Sequence, residues 1–246
     1  MAQQTFCTVD DVLAFLPSLK LEADNFTPEM IQFLIDAQAS KIINSLIYRG
    51  FKVPAPVITP ITNADYILFL LNVEQPVIDL AYRKSGEFNP ALSFLAKTQQ
   101  NSVKENFQLF RIGRFDFAFQ YTLPTTLLTT PTDVAGFLPG FIAETDPELP
   151  PNIDTLNIWI NMESAAIYCY AKYLAYETDY MKLTDDQKST YAKLVAYRVG
   201  SHLIRARAAI YNVALNPQVN FYLTEAQNYR KRFYNREFDH IFGIIY

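Results

Sequence analysis

The stretch between Pro151 and Pro217 constrains the chain most, because it carries apolar residues at helical spacing twice over with one restart between. Ile158, Met162, Ala165, Ala166, Cys169 and Tyr173 recur at steps that place them on one face of a helix. Trp159 flanks that stripe, and Asn152 or Asp154 can cap its start. Leu194, Val195, Val199, Leu203, Ala206 and Ile210 repeat the pattern up to Pro217. Between the stripes, Thr184 and Gln187 have capping-box spacing, in which each side chain satisfies the other's open backbone N–H. Two such helices joined by a short turn make an αα-hairpin. The expectation is a mainly α fold, a helical bundle with a long C-terminal αα-hairpin.

Three blocks organise the chain. Residues 152–246 form the long-helix block, and Thr224 with Gln227 predicts a second capping box opening a last helix. Residues 1–100 read as shorter helices with proline joints. Thr8 caps the first, with Asp10 and Asp11 in its first turn facing the positive end of the helix dipole. Thr27 with Pro28 opens the second, whose stripe is Ile31, Leu34, Ile35, Ala39, Ile42 and Leu46, closed by Gly50. After Pro54, Pro56 and Pro60, Asn63 starts a third helix, which Pro76 either kinks or splits. Asn89 with Pro90 predicts a short helix to about Lys97. This block and the last can also form one continuous domain.

Residues 101–151 break the helical period. Phe115, Phe117, Phe119, Tyr121 and Leu123 alternate with Asp116, Ala118, Gln120 and Thr122, as in a strand with one apolar face. With Glu105–Phe110 as the return strand and a turn near Ile112–Gly113, the expectation is a small inserted β-hairpin. Two strands alone are marginal, so the phenylalanine face must meet a body, its own or a neighbour's. A proline-rich arm follows, ending in Glu144, Asp146 and Glu148.

Chemistry is scarce in this pattern. The chain has 7 glycines, against roughly 17 at average usage, which leaves few sites where backbone can close on a phosphate. There is no glycine-rich nucleotide loop, no HExxH, no G-x-S-x-G and no CxxC. Cys7 and Cys169 are far apart and read as structural thiols, and no metal spacing occurs. The expectation is a protein that is not an enzyme and takes no cofactor or metal. Met1–Thr5 lacks the basic and apolar signature of an export signal, and apolar runs such as Tyr66–Leu71 are far too short to span a membrane. A net charge of −4 argues against duplex nucleic acid as the main ligand.

What remains is contact surface. Aromatic residues make up 15% of the chain, more than one small core consumes. Arg230, Lys231, Arg232 and Arg236 interleave with Phe233 and Tyr234, a composition suited to docking on a partner. The apolar end Phe242, Ile244, Ile245 and Tyr246 extends that candidate surface. Phe115, Phe117, Phe119 and Tyr121, with the acidic Glu144, Asp146 and Glu148, are candidates for a subunit interface. Arg198, His202 and Arg205 recur one turn apart and read as a solvated basic stripe. A different functional class, a helical nucleic-acid-binding or regulatory protein, would use the Arg198–Arg207 and Arg230–Arg236 faces.

Cys7-Thr8-Val9-Asp10-Asp11-Val12-Leu13-Ala14-Phe15-Leu16-Pro17 resembles the "T-x-x-D-V-x-x-x-L" opening helix of tailed-bacteriophage head–tail connector (adaptor, or head-completion) proteins. The resemblance continues through the Thr27–Gly50 helix with its Tyr48-Arg49-Gly50 close, the proline joint Val53–Pro60, and a helix ending in Asp79-Leu80-Ala81-Tyr82. It covers roughly the first third of the chain; the motifs are specific in their order rather than singly. It implies a structural virion protein at the head–tail junction, assembled as a ring of usually twelve copies beneath the portal protein. Its partners would be itself, portal and tail proteins, with DNA passing the channel unread and no membrane. It implies no catalytic residues. It would place the Arg198, His202 and Arg205 stripe toward the channel, and it maps the family's portal-embracing end loosely onto Leu223–Tyr246. The chain is longer than compact members, and either Asn63–Lys84 or Asn157–Thr178 can stand for the family's third helix. In the second case residues 61–151 are an insertion.

Overall fold

Every regular element among the described residues is a helix. The computed structural model describes residues 5–16, 26–53, 55–56, 60, 62–85, 90–120, 128–137, 152–211 and 217–244. Along these run α1 (Val9–Phe15), α2 (Pro28–Tyr48), α3 (Asn63–Ser85), α4 (Pro90–Arg111), α5 (Asp116–Gln120), α6 (Pro131–Phe137), α7 (Ile153–Tyr173), α8 (Asp185–Tyr211) and α9 (Pro217–Tyr234).

The starts follow the sequence signals. Thr8 and Asp11 close a capping box on α1, each side chain meeting the other's backbone N–H. Thr27 accepts from Met30 N–H with Pro28 at the first position of α2. Asn152 caps α7 by accepting from Thr155 N–H at 2.9 Å. Thr184 and Gln187 exchange the two expected bonds ahead of α8.

The centre is α3, which packs against α1, α2, α4, α5 and α7. Ile67, Leu68, Phe69, Leu70 and Leu71 are all buried, so this helix is apolar nearly all round, as a surrounded helix must be. Pro76 neither splits it nor ends it; α3 is continuous from Asn63 to Ser85. Asn72 ties it to its neighbours, accepting from Phe6 N–H and donating to Ile35 C=O, both at 2.9 Å. Helices α7 and α8 run antiparallel, since Tyr168 meets Tyr191 while Glu163 meets Arg198 and His202 further along. The expected αα-hairpin is present, with residues 174–184 joining it rather than a short turn. One cluster of buried apolar side chains draws on both the first hundred residues and the last hundred.

The inserted β-hairpin is overturned. Glu105–Phe110 lies inside α4, which also absorbs the short helix expected to end near Lys97. Ala96, Val103, Asn106 and Phe110 are buried on it, a helical spacing. The alternation from Phe115 misleads because Ala118 is buried as well; Phe115, Ala118 and Phe119 sit at helical steps at α5. A helix satisfies its backbone locally, whereas a lone hairpin leaves half its donors and acceptors unpaired. Gly113 turns the chain between α4 and α5 at φ +82°, and a Cβ there would come within 2.9 Å of the Asp116 carboxylate. That carboxylate pairs with Arg49, whose guanidinium lies 4.4 Å from the centre of the Phe110 ring. Gly113→Ala should therefore destabilise the protein by about 1–2 kcal/mol, read as a melting temperature lower by a few degrees.

The last helix also starts elsewhere. α9 begins at Pro217, so Thr224 and Gln227 lie within it rather than at its start. Proline's fixed φ suits the first helical position and sets the start there.

Candidate functional site

The most concentrated chemistry lies in the interior, where α7 presents Glu163 to α8. Arg198 Nε donates to Glu163 Oε2 at 2.6 Å, and His202 Nε2 lies 2.6 Å from Oε1. Arg198 and His202 are one turn apart, so both reach the same carboxylate. Arg198 Nη2 also lies 3.6 Å from Glu74 Oε1 on α3. Asn106 Nδ2 donates to the other Glu74 oxygen at 2.8 Å, and Arg230 Nη2 donates to Asn106 Oδ1 at 2.9 Å. A continuous polar chain thus links α8, α7, α3, α4 and α9 through the core. Phe15 and Trp159 wall the His202 ring at 5.2 and 5.7 Å.

Burial alone would raise the Glu163 carboxyl. The Arg198 charge, together with the contacts from His202 and Arg198, overrides it and holds the group down at about 2. Burial likewise opposes the Arg198 charge, and Glu163 and Glu74 outweigh it, so its pKa is raised. Glu74, Glu163 and His202 have donor atoms within 4.8 Å of one another, a spacing that fits a metal-ligand set. Arg198 already supplies the compensating cation between the two carboxylates, so the group is satisfied as an ion-pair network. Both thiols are pushed up, Cys7 by burial and then Asp11, Cys169 by burial, and so are held as inert thiols.

This geometry corrects the reading of Arg198 and His202 as a solvated or channel-facing stripe. Both are turned inward, because Glu163 and Glu74 give them in the core what water would give outside. The Arg205 side chain lies outside the described residues. The basic docking cluster is also largely engaged within the chain. Arg230 is buried against Asn106 and Glu105, with Nε and Nη1 left without a hydrogen-bond partner among the described residues. Arg232 pairs with Glu237 at 3.1 Å and Arg236 with Asp239 at 3.1 Å, while Lys231 is exposed. Phe233 is fully buried, and Tyr234 sits 4.3 Å from Tyr170. Phe242 stacks on Tyr176 at 4.2 Å and 5°, and Ile244 packs on the core edge. Of the expected subunit interface, Phe115 is buried, Phe117 is half-buried, and Phe119 packs on Phe51 and Phe110. Tyr121, Glu144, Asp146, Glu148, Ile245 and Tyr246 lie outside the described residues.

Among family models, curated proteins and solved structures, nothing matches this chain.

Two surfaces escape the sequence reading. Along α2 an outward stripe runs through Phe33, Ala37, Ser40, Asn44, Ile47 and Tyr48, residues that share one side at helical spacing. Its large members stand in solvent, Phe33 at 69%, Ile47 at 57% and Tyr48 at 92% exposure. The signal is present in the sequence, since Phe33, Ile47 and Tyr48 fall off the buried stripe of the same helix. Beside it, α2, α3 and α4 enclose a groove of about 520 Å³ that carries Lys41, Lys104 and Arg111. Nothing local in the sequence brings those three cations together.

Proposed function

We propose that the chain is a ring-forming adaptor between the head and the tail of a bacteriophage virion, docking beneath the portal and offering a surface to tail proteins. The observation that carries this reading is the exposure of Phe33, Ile47 and Tyr48 on one side of α2. They lie on the same helix that bears much of the resemblance, closed by Tyr48-Arg49-Gly50. Three large apolar side chains exposed on one side of a helix, Phe33 near its start and Ile47 and Tyr48 at its end, mark a contact surface. In a ring, one face of each subunit meets a different face of the next, so such a surface is covered by assembly. The nucleic-acid alternative is weakened by the same structure, because Arg198 and Arg230 are buried in ion pairs and Arg232 and Arg236 pair locally. DNA in this reading passes through the ring without tight binding.

Mass measurement of the purified protein, alone and with portal, tests the proposal. The expected result is a closed oligomer, formed alone or on portal. A protein that stays monomeric in both conditions overturns it. Phe33→Ser with Tyr48→Ser should weaken that assembly at least tenfold while shifting the monomer's melting temperature by no more than a few degrees, because both side chains already face water.

A further inference from the structure

The α2–α4 groove is one-signed. Lys41, Lys104 and Arg111 are exposed along it, Phe107 and Ile112 give it apolar wall, and three glutamines complete the lining without a carboxylate. None of the three cations is ion-paired among the described residues. The acidic groups Asp36 and Asp79 on the adjoining helices accept instead from Gln32 and Gln75. Of the basic residues expected to meet a partner, Arg230 is buried, Arg198 is held between Glu163 and Glu74, and Arg232 and Arg236 pair with Glu237 and Asp239, so the groove offers three exposed cations free of such ion pairs among the described residues.

The chain itself carries a segment of opposite character. Glu144, Asp146 and Glu148 fall at every second position, and there is no lysine or arginine between Arg114 and Lys172. Pro147, Pro150 and Pro151 disfavour helix there. In an extended bound form, alternate residues share one side, so the three carboxylates would span about 13 Å. Lys104 and Arg111 lie two turns apart on α4, about 10 Å along its axis. The charges match in number, the two spans are of similar length, and Ile142, on the same side as the three carboxylates, offers an apolar partner for Phe107 and Ile112.

We infer that the groove formed by α2, α3 and α4 receives the acidic segment 144–148 of a neighbouring copy. This rests on the adaptor reading and deepens it by naming the two unlike faces that head-to-tail closure requires. The contact is electrostatic at its edge and weakens as salt rises.

The test exchanges charge between the faces. One full-length variant carries K41E, K104E and R111E; the other carries E144K, D146K and E148K. Light scattering reads assembly, and thermal melting reads the fold of each. Each variant alone should associate at least tenfold more weakly than the parent, with melting temperatures nearly unchanged. An equimolar mixture should regain the parent's assembly, because every segment then meets an opposite groove. Variants that assemble alone like the parent overturn the inference while leaving the ring standing on other surfaces. Lower melting temperatures with intact assembly overturn it as well, and place the segment on its own chain. Loss of portal binding with intact self-assembly assigns the groove to portal and overturns it too. A parent that is monomeric with and without portal overturns the adaptor reading itself, a result distinct from the others.

Discussion

Glu163→Gln should destabilise the protein by about 3–5 kcal/mol, a fall in melting temperature of about 6–20 °C for a chain of this size. The carboxylate is fully buried between Arg198 and His202. Removing its charge leaves Arg198 with Glu74, 3.6 Å away, as its one counter-ion among the described residues. The large term is the loss of two charge-assisted hydrogen bonds at a buried site, since Arg198 keeps Glu74 as its counter-ion. The double variant E163Q/R198M should be more stable than R198M alone, which leaves both Glu163 and Glu74 buried without their cation, a coupling that independent sites would not show. The same carboxylate makes a pH prediction. Its folded pKa lies near 2, below its ordinary value, so the unfolded chain takes up the proton first as pH falls. Its contribution is complete above the ordinary carboxylate range and is lost between about pH 4.5 and 2. Urea titrations across that window should show the parent losing stability more steeply than E163Q. Equal slopes would mean that Glu163 is not charged in the fold.

The network also explains what can be read along the chain and what cannot. Caps and stripes are local, and Thr8, Thr27, Asn152 and Thr184 each start a helix as their spacing predicts. Glu163 is visible as the one carboxylate in the apolar run from Ile158 to Tyr170. Its partners are not, because Arg and His one turn apart on α8 look the same whether they face water or clamp a carboxylate. Only the approach of α3 and α7 decides between the two, and that approach is long-range. The β-hairpin fails for a related reason. Five alternating residues from Phe115 to Phe119 also contain a helical triple, and the choice falls to the turn at Gly113 and the Arg49–Asp116 pair, whose members lie far apart in sequence. The groove cations come from two helices that α3 brings side by side. Docking residues are the hardest to read, since Arg, Tyr and Phe together describe an interface core and a protein core equally well.

The chain's end separates those two roles most sharply. Its apolar residues suggest that removing Phe242–Tyr246 would impair docking and spare the fold. The structure requires the opposite for Phe242. The ring stacks on Tyr176, Tyr191 lies 5.0 Å away, and Gln187 Nε2 donates to Ile241 C=O, fastening the end onto the first turn of α8. Tyr176 in turn donates its hydroxyl proton to Asp239, which also accepts from Arg236. Phe242→Ala empties a buried aromatic site and should lower stability by about 3–5 kcal/mol, with hydrogen exchange rising across residues 235–244. Truncation after Ile244 is the comparison that isolates docking, since it keeps Phe242 and the Ile241 carbonyl anchor and removes only Ile245 and Tyr246. That shorter chain should melt within a few degrees of the parent. Any loss of portal binding it shows then belongs to docking alone, whereas a matching loss of stability would assign the last two residues to the same core as Phe242.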